Sequence, residues 1–99
     1  MKRGGTVYIM TNVNRTALYI GVTSDLVWRL REHIEKKYPS SFTAKYNLSI
    51  CVYYEMFSSI EEAISREKEI KKWRREKKEV LINAMNPSWK NLWEDIKDW

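Results

Sequence analysis

Thr6-Val7-Tyr8-Ile9-Met10 and, after a polar interval, Ala17-Leu18-Tyr19-Ile20-Gly21-Val22 are two short runs with the two-residue period of β-strands. In the first, Val7 and Ile9 share one face while Thr6, Tyr8 and Met10 share the other. In the second, Leu18 and Ile20 oppose Tyr19 and Gly21. Asn12, Asn14 and Arg15 supply the polar turn between them. Folded back as an antiparallel hairpin, the runs turn Val7, Ile9, Leu18 and Ile20 toward a core and send both tyrosines to the opposite face.

Working outward, Ser24 and Asp25 are good N-cap residues, and Leu26, Val27, Leu30 and Ile34 form a helical stripe that predicts a helix to about Lys37, stopped by Pro39. Residues 39–45 read as a polar loop around Phe42. Ile50–Phe57 is β-branched and aromatic and reads as a third strand. Ser59 with Glu62 matches a capping box, and Ile60, Ala63, Ile64 and Ile70 mark the apolar side of a long helix. Val80–Met85 continues as helix or as a separate helical piece. Asn86-Pro87-Ser88 breaks the chain, and Trp89, Leu92, Trp93 and Ile96 then have the spacing of an amphipathic helix over about 88–98. The expected architecture is α+β: a small three-stranded, antiparallel sheet flanked by helices.

The chain has 99 residues, enough for one core and too few for two, so residues 1–99 are expected to form one domain with its core at about 5–85. Hydrophobic residues make up 43% and charged residues 31%, which excludes a disordered chain. The one cysteine, Cys51, lies in an apolar run and reads as a buried structural thiol suited to a reducing compartment. After Met1-Lys2-Arg3 the apolar stretch is too short for an export signal, and no run approaches the length of a membrane span. A cytoplasmic location without membrane attachment is the expectation.

The formal net charge is +5, and Lys71, Lys72, Arg74, Arg75, Lys77 and Lys78 crowd one segment. Such a stripe attracts phosphate backbones, although interspersed glutamates equally suit a solvated helix laced with ion pairs. Within that helix Glu67 is the most telling residue. At 100° per residue it points along the mean direction of Ile60, Ala63, Ile64 and Ile70, and an unpartnered carboxylate aimed at a core costs several kcal/mol. An ion pair with Lys71 or Arg74 is one solution and a hard divalent cation is the other. On the residues alone, the ion pair is the commoner outcome.

Arg29 and His33 lie four apart, beside the Leu26/Leu30/Ile34 stripe, at the expected boundary of core and solvent. A guanidinium there can grip a phosphate bidentately, and an imidazole can move a proton near neutral pH. Pairing of Arg29 with Glu32 or Glu35 and a plain surface role for His33 are the ordinary alternatives. Tyr8 and Tyr19 can equally be sheet-covering rings or phenols that manage protons. One histidine and one cysteine exclude a structural zinc site, and no phosphate-binding glycine loop or dinucleotide motif is present, so no small-molecule cofactor is expected.

Taken in order, Thr6-Val7-Tyr8, Tyr19-Ile20-Gly21-Val22-Thr23, Arg29 with His33, Phe42-Thr43-Ala44-Lys45-Tyr46-Asn47, Arg66-Glu67-Lys68-Glu69-Ile70-Lys71-Lys72-Trp73 and Asn86-Pro87-Ser88-Trp89 resemble a GIY-YIG nuclease domain of the short bacterial type. The resemblance implies metal-dependent hydrolysis of DNA phosphodiester bonds, with one Mg²⁺ or Mn²⁺ held by Glu67. It implies that Tyr8 activates water or organises its network, that Tyr19 supports that network or bonds a phosphate oxygen, and that Arg29 stabilises the charged transition state. His33 matches a proton-transfer position, and Asn86 or Asn83 matches a family asparagine near the end of the catalytic core. Thr6 replaces the first-motif glycine, and Val22-Thr23 stand where some relatives carry a lysine. Lys45, Lys71 and Arg74 are the candidate DNA-backbone contacts, from charge and position. With no appended recognition domain expected, cutting should depend on DNA structure or be weakly sequence-selective, with specificity supplied by a protein partner. A non-catalytic nucleic-acid-binding module of the same fold is the alternative.

Overall fold

The computed structural model describes residues 4–99; Met1-Lys2-Arg3, and with them the reading of the N-terminus as no export signal, lie outside the described residues. Strand β1 (Gly5–Thr11) pairs antiparallel with β2 (Leu18–Thr23) on one side and with β3 (Ile50–Phe57) on the other, giving the order β2-β1-β3. The hairpin register sets Tyr8 opposite Gly21 and Met10 opposite Tyr19, so both tyrosines do project from one face. In the turn, Asn12 Oδ1 accepts from the amides of Thr16 and Ala17, while Arg15 takes a left-handed φ of 56°.

The sheet is buried on both faces, where the hairpin alone predicted a single core face. Val7, Ile9 and Ile20 pack with Ala63, Ile70 and Ile82 from the helices α3 (Ile60–Lys71) and α4 (Arg75–Met85). On the other face, Tyr8 and Met10 pack with Leu26 and Leu30 of α1 (Leu26–Ile34), with Leu48, and with Leu92 and Ile96 near the C-terminus. The central strand therefore has no solvent side, and all seven of its residues are buried. A register shift between Ile9 and Met10 leaves Val52 as an extra residue on β3. The bulge turns Val52 and Tyr53 to the same core, while Cys51 and Tyr54 face the other.

Helix α1 starts where expected, on Asp25, whose carboxylate accepts from the Trp28 amide. It ends short of Lys37. Lys36 adopts φ 53°, the Lys36 amide donates to His33 O and the Lys37 amide to Glu32 O, so a left-handed cap closes the helix before Pro39 can act. The polar loop predicted over 39–45 contains a short helix instead, α2 (Phe42–Lys45), because Ser41 Oγ accepts from the Ala44 amide and nucleates a turn. The basic stretch is likewise not one helix: α3 stops at Lys71, and α4 begins anew after Arg74.

The amphipathic helix predicted over 88–98 shrinks to α5 (Trp93–Ile96). Trp89 sits at φ 53° and packs toward the Val7 core, whereas Leu92 and Ile96 enter the Tyr8 core. Backbone pairing explains the departure. Leu92 N donates to Cys51 O, Asn91 Oδ1 accepts from Cys51 N, and Asn86 Nδ2 donates to Val52 O, so the segment binds the outer edge of β3. An edge strand's open amides and carbonyls are satisfied that way. Among the described residues no helix is long and apolar enough to cross a membrane.

Candidate active site

Tyr8 projects from the middle of the central strand and is almost completely buried. Its ring lies across Gly21, and a Cβ on that glycine would come within 2.3 Å of Tyr8 Cζ and 2.5 Å of its hydroxyl. Gly21 thus leaves the opening through which the phenol reaches α1. There Tyr8 Oη meets His33 Nε2 at 2.8 Å, and His33 Nδ1 meets Thr43 Oγ1 at 3.0 Å. Thr43 Oγ1 lies 3.3 Å from Ser41 Oγ. A hydrogen-bonded chain therefore runs from the buried phenol through the imidazole to two hydroxyls of α2 and its cap.

His33 is not at the solvent boundary, as helix spacing suggested, but only 5% exposed. It can be buried because both ring nitrogens are satisfied. Tyr19, half-buried on β2, closes the group: its ring centroid is 6.3 Å from that of Tyr8 and 5.6 Å from that of His33. Arg29 lies beside both phenols and forms the anticipated ion pair with Glu32 at 3.1 Å; Glu35 takes no part.

The electrostatics follow from this packing. Burial, then Tyr19, pushes the Tyr8 phenol well above its ordinary value, with Arg29 acting in the opposite sense. Burial opposes the Arg29 charge, yet the Tyr8 and Tyr19 phenols and the Glu32 carboxylate together hold that guanidinium firmly protonated. Burial first and the Arg29 charge second push His33 down to about 4, with Glu32 opposing. At neutral pH the cluster is a neutral phenol and a neutral imidazole beside a fixed cation.

One stability prediction follows. Between pH 6.5, the ordinary histidine value, and about 4, the unfolded chain binds a proton at His33 that the folded chain excludes. Stability must then fall as pH falls through that window, by on the order of 3 kcal/mol in all. Urea midpoints across it should slope less in His33→Gln than in the wild type. Equal slopes would remove His33 as the cause.

Glu67 faces inward on α3, as its angular position required, between Ala63 and Ile70. Of its two sequence-level partners the structure selects Lys71, with Nζ 2.6 Å from Oε2; Arg74 caps α4 instead. No hydrogen bond or ion pair among the described residues joins Glu67 to Tyr8, Tyr19, Arg29 or His33. Its helix packs over β1 and the edge strand β2 from the face opposite the phenols. The structure thus gathers four of the five site residues and sets the carboxylate in the neighbouring layer.

Asn86, one of the two candidate asparagines, acts as a clamp. Its Nδ2 donates to Val52 O and Lys90 O, and its Oδ1 accepts from Lys90 N, so the whole amide is committed to fastening the C-terminal segment. Asn83, the other, is exposed and accepts from Trp89 Nε1. Lys45 and Arg74 are exposed and carry no ion pair among the described residues, whereas Lys71 is engaged with Glu67. Thr43 is the site residue that sequence reasoning missed. It stood inside one of the family-like motifs, but nothing local marks a threonine as a histidine's partner. Cys51 is buried and pushed up to about 12 by that burial, an inert thiol as expected.

A three-stranded antiparallel sheet with two tyrosines and a histidine meeting on one face, beside an arginine, defines the class. The model of the GIY-YIG catalytic domain matches residues 4–80, and the chain belongs to that nuclease-type family. It is 37% identical over 81 residues to a UPF0213 protein of Syntrophus aciditrophicus (strain SB), an alignment covering 82% of this chain and 91% of the relative. It is also similar to a UPF0213 protein of Bacillus halodurans solved by solution NMR. That similarity has a TM-score of 0.56 and 30% identity, covering 88% of this chain and 90% of the other.

Proposed function

We propose that the protein is a divalent-metal-dependent endonuclease that hydrolyses DNA phosphodiester bonds, cutting by DNA structure or with weak sequence preference. The observation that carries the reading is the buried 2.8 Å contact between Tyr8 Oη and His33 Nε2, within reach of a fixed guanidinium. In the tautomer with Nδ1–H donated to Thr43, Nε2 accepts the phenolic proton. Once bound DNA admits a water to its buried hydroxyl, Tyr8 can take a proton from that water as it passes its own to His33, which becomes imidazolium while the phenol stays neutral. A phosphodiester bound to Arg29 would cancel part of the charge that holds His33 low, so the base would strengthen when substrate arrives. Arg29 would also oppose the negative charge that develops at phosphorus, and Tyr19 would bond a phosphate oxygen.

Glu67 is the residue that would hold Mg²⁺ or Mn²⁺. The donor set fits: an inward carboxylate already takes a cation at 2.6 Å, and that cation is the tip of a half-exposed lysine able to leave. No group of three or more His, Cys, Asp or Glu side chains suited to a metal occurs among the described residues, so water and phosphate oxygens would complete the shell, as hard divalent ions accept. The ion, when bound, would supply Lewis-acid stabilisation of the phosphate charge, which requires the phosphate to bridge the edge strand β2 between the Glu67 layer and the phenols. Lys45 and Arg74 supply backbone contacts, giving affinity that falls steeply with salt.

The Glu67–Lys71 pair also suits a module that binds nucleic acid without cutting. The two readings separate on one assay: nicked, branched, linear and single-stranded DNA incubated with Mg²⁺ or Mn²⁺, beside Glu67→Gln. Cleavage should need both the ion and the carboxylate, with the variant slower by about 10²-fold or more. Binding without cleavage on every substrate would establish the binding module.

A further inference from the structure

Four large aromatic side chains lie exposed within residues 28–46, the segment that also carries Arg29, His33 and Thr43. Trp28 is 55% exposed, Tyr38 51%, Phe42 49% and Tyr46 54%. Two local groupings result. Lys37 Nζ stands 5.4 Å from the Trp28 ring centroid and 5.8 Å from that of Tyr38, and the Arg29 guanidinium is 5.9 Å from the Tyr38 ring. Phe42 and Tyr46 pair with centroids 4.8 Å apart, on either side of Lys45 in sequence.

One grouping meets the chemistry through a side chain, the other only through adjacency along the chain. Arg29, beside the Tyr8 phenol, also lies against Tyr38. Phe42 immediately precedes Thr43, the partner of His33. Residues 28–46 carry five cations against two carboxylates, and one of those, Glu32, is already paired with both Arg29 and Lys37.

We propose that Trp28, Tyr38, Phe42 and Tyr46 form a stacking platform for unpaired bases of a DNA strand led toward the Tyr8–His33 site. The chemistry selects this partner. Exposed rings interleaved with cations match a strand whose backbone is anionic and whose base faces are open, and each stacked base adds affinity without sequence readout. A duplex offers the same phosphates but keeps its base faces covered by its own stacking. The inference deepens the nuclease reading by naming the substrate class, and it rests on that reading only for the strand's direction.

The test uses the full chain carrying Glu67→Gln, so that DNA stays intact, with fluorescence anisotropy of a labelled oligothymidylate and of a blunt duplex. Trp28→Ala/Tyr38→Ala and Phe42→Ala/Tyr46→Ala should each weaken oligothymidylate binding about 10-fold or more. Duplex binding should change little, and Trp28→Phe should retain most of the single-strand affinity. Equal losses on both DNAs, or none on either, overturn the platform. So does a dimer dissolved by these substitutions with single-strand binding unchanged. If the preference holds while the protein with Glu67 intact cuts nothing, the platform stands and the nuclease reading fails. Cutting that ignores the aromatic substitutions leaves the nuclease standing and removes the platform.

Discussion

Tyr8→Phe should reduce single-turnover DNA cleavage about 10²–10⁴-fold while leaving DNA affinity near that of the wild type. The substitution keeps the ring over Gly21 and removes one oxygen, the atom that meets His33 Nε2 at 2.8 Å. It severs the proposed path from water to imidazole and changes little else on the surface that DNA would touch. A modest stability loss should accompany it, about 1–3 kcal/mol, because the buried imidazole nitrogen loses its partner. Rates measured at saturating enzyme, with binding measured separately, make the distinction. Cleavage close to wild type would take Tyr8 out of water activation and leave it a packing ring.

Gly21→Ala should disable the site with a single methyl. The new Cβ would stand 2.3 Å from Tyr8 Cζ and 2.8 Å from its Cε1, closer than carbon atoms can approach. The ring cannot simply lift away, since it is buried and its hydroxyl is tied to His33. Either the ring swings and the hydrogen bond breaks, or β1 and β2 separate. Overpacking of this kind costs about 1–3 kcal/mol, and here the lost hydrogen bond adds to it. Cleavage should fall as far as in Tyr8→Phe, and the double variant should be hardly worse in rate than either single one, because both remove the same contact. Additive losses in rate would show that Gly21 acts through something other than the phenol.

These two residues illustrate how the site was encoded. Strand alternation placed Tyr8 and Tyr19 on one face, and the register confirmed it. Helical spacing put Arg29 and His33 on one side of α1, but it could not say that His33 turns into the core, since the buried position depends on Tyr8 and Thr43, 25 residues before it and 10 after. Angular position aimed Glu67 inward but left two partners open; Lys71, one turn on in the same helix, takes it, because α3 ends there and Arg74 falls beyond the break. The C-terminal pattern misled for a similar reason. Trp89, Leu92, Trp93 and Ile96 have helical spacing, but the open edge of β3 captured the backbone before a helix could form.

The sequence by itself therefore determined the three strands, the faces that the hairpin's side chains take, the caps that start α1 and α3, and the inward aim of one carboxylate. Each is a local property, set by period and by the chemistry of adjacent residues. The tertiary structure alone decided that both faces of the sheet are buried and that Gly21 makes room for the Tyr8 ring. It also decided that Thr43 holds His33 and that Asn86 clamps a strand edge. Those facts depend on which distant groups meet, and a buried polar atom takes whichever partner the packing delivers.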